Sequence, residues 1–138
     1  MRLTFILIAV LLLIVSCEHE PVEPEKTQTE VKESNLCDSN KVYFQNDILP
    51  ILIASCAFSG CHDAGTAASG VVLSSYEKII NSDVVRAGKP DNSELFERII
   101  ETDLIRRMPL GGSRLPQEQI DQIEQWILDG ALNSSCNG

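Results

Sequence analysis

Residues 44–62 read FQNDILPILIASCAFSGCH, and the reading of this stretch decides the fold. Apolar residues at positions 44, 48, 49, 51 and 52 recur at helical spacing, which predicts a helix within Val42 to Ser55. Pro50 interrupts it. A proline inside a helix removes a donor and crowds the preceding turn, so two outcomes are open: a start near Asp47, which would cap the helix, or a kink at Pro50. The helical pattern runs directly into Cys56, then four residues, then Cys61 and His62.

Further helices are expected downstream. Ser74-Ser75-Tyr76-Glu77 reads as a capping box, with Ser74 at the N-cap, Glu77 reaching back, and a short helix to about Ile80. Asp91-Asn92-Ser93-Glu94 reads as a second box that opens a helix through Leu95, Phe96, Ile99 and Ile100. Pro116 suits a first helical position, and Ile120, Ile123, Trp126 and Ile127 form one stripe that ends at Gly130. No strand pattern stands out. The fold class is therefore all-α, with about four short helices joined by long connections. Aromatic residues are 5% of the chain, a thin core for such loops, and an apolar guest in the middle would account for it.

Cys56, Cys61 and His62 carry the chemistry. A covalently held haem needs two thiols that add to the porphyrin vinyl groups and a histidine beside the second thiol to bind iron; the usual spacing is C-x-x-C-H. Here the spacer has four residues, so the loop must bulge outward, which Gly60 permits through backbone angles closed to other residues. Beyond the leader, Met108 is the one remaining methionine, and His19 and His62 are the two histidines. A six-coordinate iron with a strong sixth side chain then points to His62 and Met108 as axial ligands. Arg106 and Arg107, beside Met108, are candidates for pairing with haem propionates, because a guanidinium matches carboxylate geometry.

Two other chemistries fit the same residues. Cys56, Cys61 and His62 could join Cys37 or Cys136 in a structural zinc site. Alternatively, Cys56 and Cys61 could form a small disulfide in a haem-free interaction domain. No catalytic constellation is visible, and an iron with both axial positions filled leaves no place for a substrate. The expectation is an electron carrier rather than an enzyme, acting alone or as a subunit of a larger oxidoreductase.

The flanks indicate where the domain works. Residues 1–16 begin with Arg2, continue with an apolar run from Phe5 to Val15 and end in a small residue, the pattern of a signal peptide. Leu13-Ile14-Val15-Ser16-Cys17 resembles a bacterial lipobox, so Cys17 is expected to be lipidated and to anchor the chain in a membrane. Residues 17–36 hold six glutamates and few apolar residues, as a flexible acidic stalk would. The haem domain is then 37–138. The net charge of −9 excludes nucleic acid as a natural partner and suits envelope redox proteins with basic docking faces. The expected place is the outer membrane, facing the periplasm or the cell surface.

The motif F-x-x-D-I-L-P-I-L-x-x-x-C-x-x-x-x-C-H over 44–62 is followed by Gly70-Val-x-Leu, Gly88-Lys-Pro, Met108-Pro109, Trp126-Ile127 and Gly130-Ala131. Taken together, residues 42–131 resemble the planctomycete-type cytochrome c domains with long-spacer haem motifs. The resemblance implies a small cytochrome c-like fold around one haem c, with the first and last helices crossing. It implies Cys56 and Cys61 as thioether cysteines, His62 as proximal ligand and Met108 as distal ligand. Phe44, Ile48 and Leu52 would then meet Ile123, Trp126 and Ile127. Such a crossing would also bring Cys37 and Cys136 close enough for a disulfide, which persists in exported proteins.

Overall fold

The computed structural model describes residues 37–137; the leader 1–16, His19 and the expected lipidation site Cys17 and stalk 17–36 lie outside the described residues. Among the described residues four α-helices and three shorter helical turns occur: α1 Leu49–Ser55, α2 Tyr76–Asn81, α3 Glu94–Ile100 and α4 Gln117–Leu128. There is no strand among the described residues. The all-α class holds.

Pro50 shapes the first element. A π-helical turn, Phe44–Ile48, runs into α1, and the Leu49 N–H donates to the Phe44 carbonyl five residues back. The wider turn gives the proline ring room and asks for no N–H from it. Asp47 does not sit at the N-cap, as a start at that residue would require. It lies inside the π turn, where its carboxylate accepts the Tyr43 N–H at 2.7 Å.

The amphipathic stripe of α4 is fully inside: Ile120, Ile123, Trp126 and Ile127 are all buried. Each large apolar side chain taken out of water contributes about 1.5–3 kcal/mol, so this stripe is a main source of stability. It packs on the π turn that precedes α1. The Phe44 ring lies 5.2 Å from that of Trp126 and 5.1 Å, edge-on, from that of Tyr76. The helix stops where Gly130 turns left-handed at φ +97°. Gly130 N–H reaches the Ile127 carbonyl and Ala131 N–H the Trp126 carbonyl, the paired bonds of a Schellman end. In addition, the Gly88 N–H donates to the Ile127 carbonyl at 2.7 Å, so the Gly-Lys-Pro segment docks on the end of α4.

The two ends of the domain are stitched side by side. Asn46 exchanges two hydrogen bonds with the Cys136 backbone, and Ser134 receives the Phe44 and Gln45 N–H groups on its hydroxyl and carbonyl. Cys37 and Cys136 are joined as a disulfide, with Cα atoms 5.5 Å apart across a sequence separation of 99. Closing a loop of that length removes unfolded-state entropy equivalent to about 2–5 kcal/mol.

Both expected capping boxes are displaced. α2 is capped by Ser75, not Ser74; its hydroxyl accepts the Lys78 N–H. Before α3, Pro90–Asn92 forms a short 3-10 turn, so Asp91 is not the cap and Ser93 takes that position. The Ser93 hydroxyl does not cap α3 either. It is 0% exposed, accepts the Arg86 N–H at 2.9 Å and donates to the Lys89 carbonyl at 2.8 Å. A buried hydroxyl needs such partners, and here they pin the 86–89 loop to the start of α3.

Candidate functional site

α1 delivers Cys56 to the interior. The helix closes with the Cys56 and Ala57 N–H groups both on the Leu52 carbonyl, and Cys56 is 7% exposed. The chain then swings out, and Phe58 is 49% exposed. It returns when the His62 N–H bonds the Cys56 carbonyl at 3.1 Å, so the spacer 57–60 is looped out as a bulge. Gly60 sits at φ +90°, where a side chain would be strained, and its N–H donates to the Thr66 hydroxyl at 3.0 Å. The expected outward bulge is thus formed, with Thr66 as an unforeseen anchor.

His62 is oriented by the 71–73 segment. Its Nδ1 lies 3.3 Å from the Val71 carbonyl oxygen, and its own carbonyl accepts the Leu73 N–H. That segment is held in turn by Ser82 at the end of α2, whose hydroxyl accepts the Val72 N–H. A histidine whose Nδ1–H is spent on a carbonyl presents Nε2 as a lone-pair donor, the arrangement found behind metal-bound imidazoles.

The opposite wall comes from α3 and the loop after it. Met108 is tied down by its N–H, which donates to the Arg98 carbonyl at 2.9 Å. The loop before it is folded on Asp103, whose carbonyl takes the Arg106 and Arg107 N–H groups. The Asp103 and Thr102 N–H groups hold the Glu101 carboxyl below its ordinary range, with Arg106 and Arg98 adding to the effect.

Between these walls lies a cavity of about 350 Å³. Cys56, Phe58, Cys61 and His62 line it together with Leu95, Ile99, Ile105, Met108, Pro109 and Leu110, and with Val71, Leu73 and Val84. Burial, and next the neighbouring Cys61, push the Cys56 thiol up to about 11, so it is a neutral S–H near pH 7.

Residues 59–109 match the family model of planctomycete cytochrome C. The match takes in Cys61, His62, the Gly-Lys-Pro segment, Met108 and Pro109, and begins just after Cys56. This match over 59–109 supports a planctomycete-type cytochrome c-like domain. No curated protein and no solved structure matches it.

The residues of this cytochrome c-like domain fit a haem. Cys56 and Cys61 are both free thiols and face one apolar cavity with His62 and Met108. The zinc alternative loses its ligands: Cys37 and Cys136 are bonded to each other, and among the described residues no three His, Cys, Asp or Glu side chains gather as a metal site. Cys56 and Cys61 are not joined as the small disulfide of the other alternative.

Of the two arginines singled out by sequence, Arg106 borders the cavity and stands 3.8 Å from the Glu101 carboxylate. Arg107 is not part of the lining; its Nη2 approaches the Gly112 carbonyl at 3.5 Å. Arg98 lines the cavity instead. Sequence reasoning passed over it, although its place beside Ile99 and four residues after Glu94 was a usable signal.

Proposed function

We propose that the protein is a monohaem c-type cytochrome that carries single electrons in a bacterial cell envelope. The observation that carries this reading is the convergence of Cys56, Cys61, His62 and Met108 on one apolar cavity. Each cysteine S–H would add across a porphyrin vinyl group, the sulfur forming the new C–S bond and the hydrogen going to the other vinyl carbon. The neutral Cys56 thiol in an apolar pocket suits that addition, and the looped-out spacer explains how a four-residue gap still serves two sulfurs. His62 would bind iron through Nε2, its ring held by Val71, and Met108 would supply a soft thioether as a second ligand. When bound, the haem supplies a one-electron iron couple.

Were His62 and Met108 both to bind the iron, no place would be left on it for a substrate, which supports a carrier's role, whether alone or inside a larger oxidoreductase. The expected lipid on Cys17 would tether the domain to the outer membrane, facing the periplasm or the cell surface. No helix among the described residues is long and apolar enough to cross a membrane. Electron donor and acceptor would be envelope proteins, and the net charge of −9 favours basic docking faces on them.

The test is a reduced-minus-oxidised visible spectrum of protein made with cytochrome c maturation machinery, together with its mass under denaturing conditions. A red product that keeps the mass of one haem supports the assignment. A colourless, iron-free protein from the native cell envelope overturns it.

A further inference from the structure

Two permanently cationic side chains line the apolar cavity, Arg98 and Arg106. We propose that Arg98, with Arg106 beside it, is the carboxylate-binding rim that holds the porphyrin propionates; the inference rests on the haem reading. On α3, Leu95 and Ile99 form part of the cavity wall, and Arg98 lies one turn after the first and next to the second. Its aliphatic stem therefore extends the apolar wall while its head stays at the edge. Glu94 holds that head in place: Arg98 Nε and Nη2 both donate to a single carboxylate oxygen, at 3.2 and 2.9 Å. Nη1 has no hydrogen-bond partner among the described residues.

The same two arginines also border a second, polar cavity of about 260 Å³, whose wall includes Asp83, Glu94, Glu97 and Glu101. They line both an apolar chamber and a polar one, which Arg86 also borders. A porphyrin edge with two carboxylates, entering a chain of net charge −9, meets repulsion there unless cations intervene. A guanidinium fork matches a carboxylate in shape as well as charge. Arg98 is the stronger of the pair, because its side chain is 37% exposed against 64% for Arg106, and the less exposed charge is less screened. The Arg98 carbonyl also accepts the Met108 N–H, so one residue would grip the propionate edge with its side chain and the axial loop with its backbone.

The experiment uses haem-loaded Arg98→Gln, Arg106→Gln and Arg107→Gln proteins, and reads the propionate bending band by resonance Raman spectroscopy alongside the midpoint potential. Arg98→Gln should shift the band and lower the potential, since losing a positive charge favours Fe(III). Arg106→Gln should do the same to a smaller extent, and Arg107→Gln should match wild type in both. A wild-type band and potential in Arg98→Gln, or a shift in Arg107→Gln, overturns the inference. Should Arg98→Gln fail to accumulate, Arg98→Lys keeps the charge without the fork: the potential should stay near wild type while the band moves, and an unmoved band overturns the inference. A wild-type protein without haem defeats the function itself, a distinct outcome.

Discussion

The Nδ1 of His62 lies 3.3 Å from the carbonyl oxygen of Val71, nine residues further along the chain. That contact selects one tautomer and one ring orientation before any metal arrives. It depends on Ser82, because the Ser82 hydroxyl fixes the Val72 N–H beside it. His62 is thus aimed by α2, an element with no residue of its own in the cavity wall.

His62→Ala removes the nitrogen proposed to bind iron and leaves both thiols in place. Stable holoprotein should be lost, which haem staining of a denaturing gel would reveal. A normal yield of red protein would count against His62 as ligand.

Met108→Ala acts on the other face. The haem should remain covalently attached while its reduction potential falls, because a soft thioether stabilises Fe(II). Redox titration checks this, and an unchanged potential would place a different group on the iron.

The Cys56 thiol makes the haem-free protein sensitive to alkali. Its folded-state value is raised from 9.0 to about 11, chiefly by burial. A raised value means that the folded state keeps the proton while the unfolded chain has lost it. The stabilising contribution is therefore whole below about 9 and disappears as the pH passes through about 11. Urea midpoints of the haem-free form should fall across that window more steeply than those of Cys56→Ser. Holoprotein, whose sulfurs would be thioethers, should lack this component.

Ser93→Ala takes the acceptor from the part-buried Arg86 N–H and the hydroxyl from a fully buried position. Loss of about 1 kcal/mol is expected from the hydrogen bonds removed there. Chemical denaturation measures it, and haem attachment should be unaffected, since Ser93 does not line the cavity. A change under about 0.5 kcal/mol would mean that the 86–89 loop is held by other contacts.

The helices were legible because their periodicity is local. The α4 stripe ends at Gly130 as its spacing indicates, and the site cysteines and histidine are adjacent enough in sequence to be read as a unit. Caps were read less well. A serine three residues before a glutamate is a cap in either of two adjacent registers, and at Ser93 the hydroxyl was claimed by the Arg86–Lys89 loop instead. Arg107 looked equivalent to Arg106, but neighbouring residues in a loop point different ways, and its guanidinium turns to Gly112.

Sequence alone determined the helical class, the Cys56, Cys61 and His62 cluster and the candidacy of Met108, since each follows from residue type and short-range spacing. Tertiary structure alone decided which side chains share the cavity: that Met108 faces it with the two cysteines, that Arg98 belongs to it and Arg107 does not. It also decided that Val71 orients His62 and that Asn46 and Ser134 fasten the two ends of the described domain. These contacts join residues up to 90 positions apart, and no local pattern encodes them, because they arise from how buried faces pack.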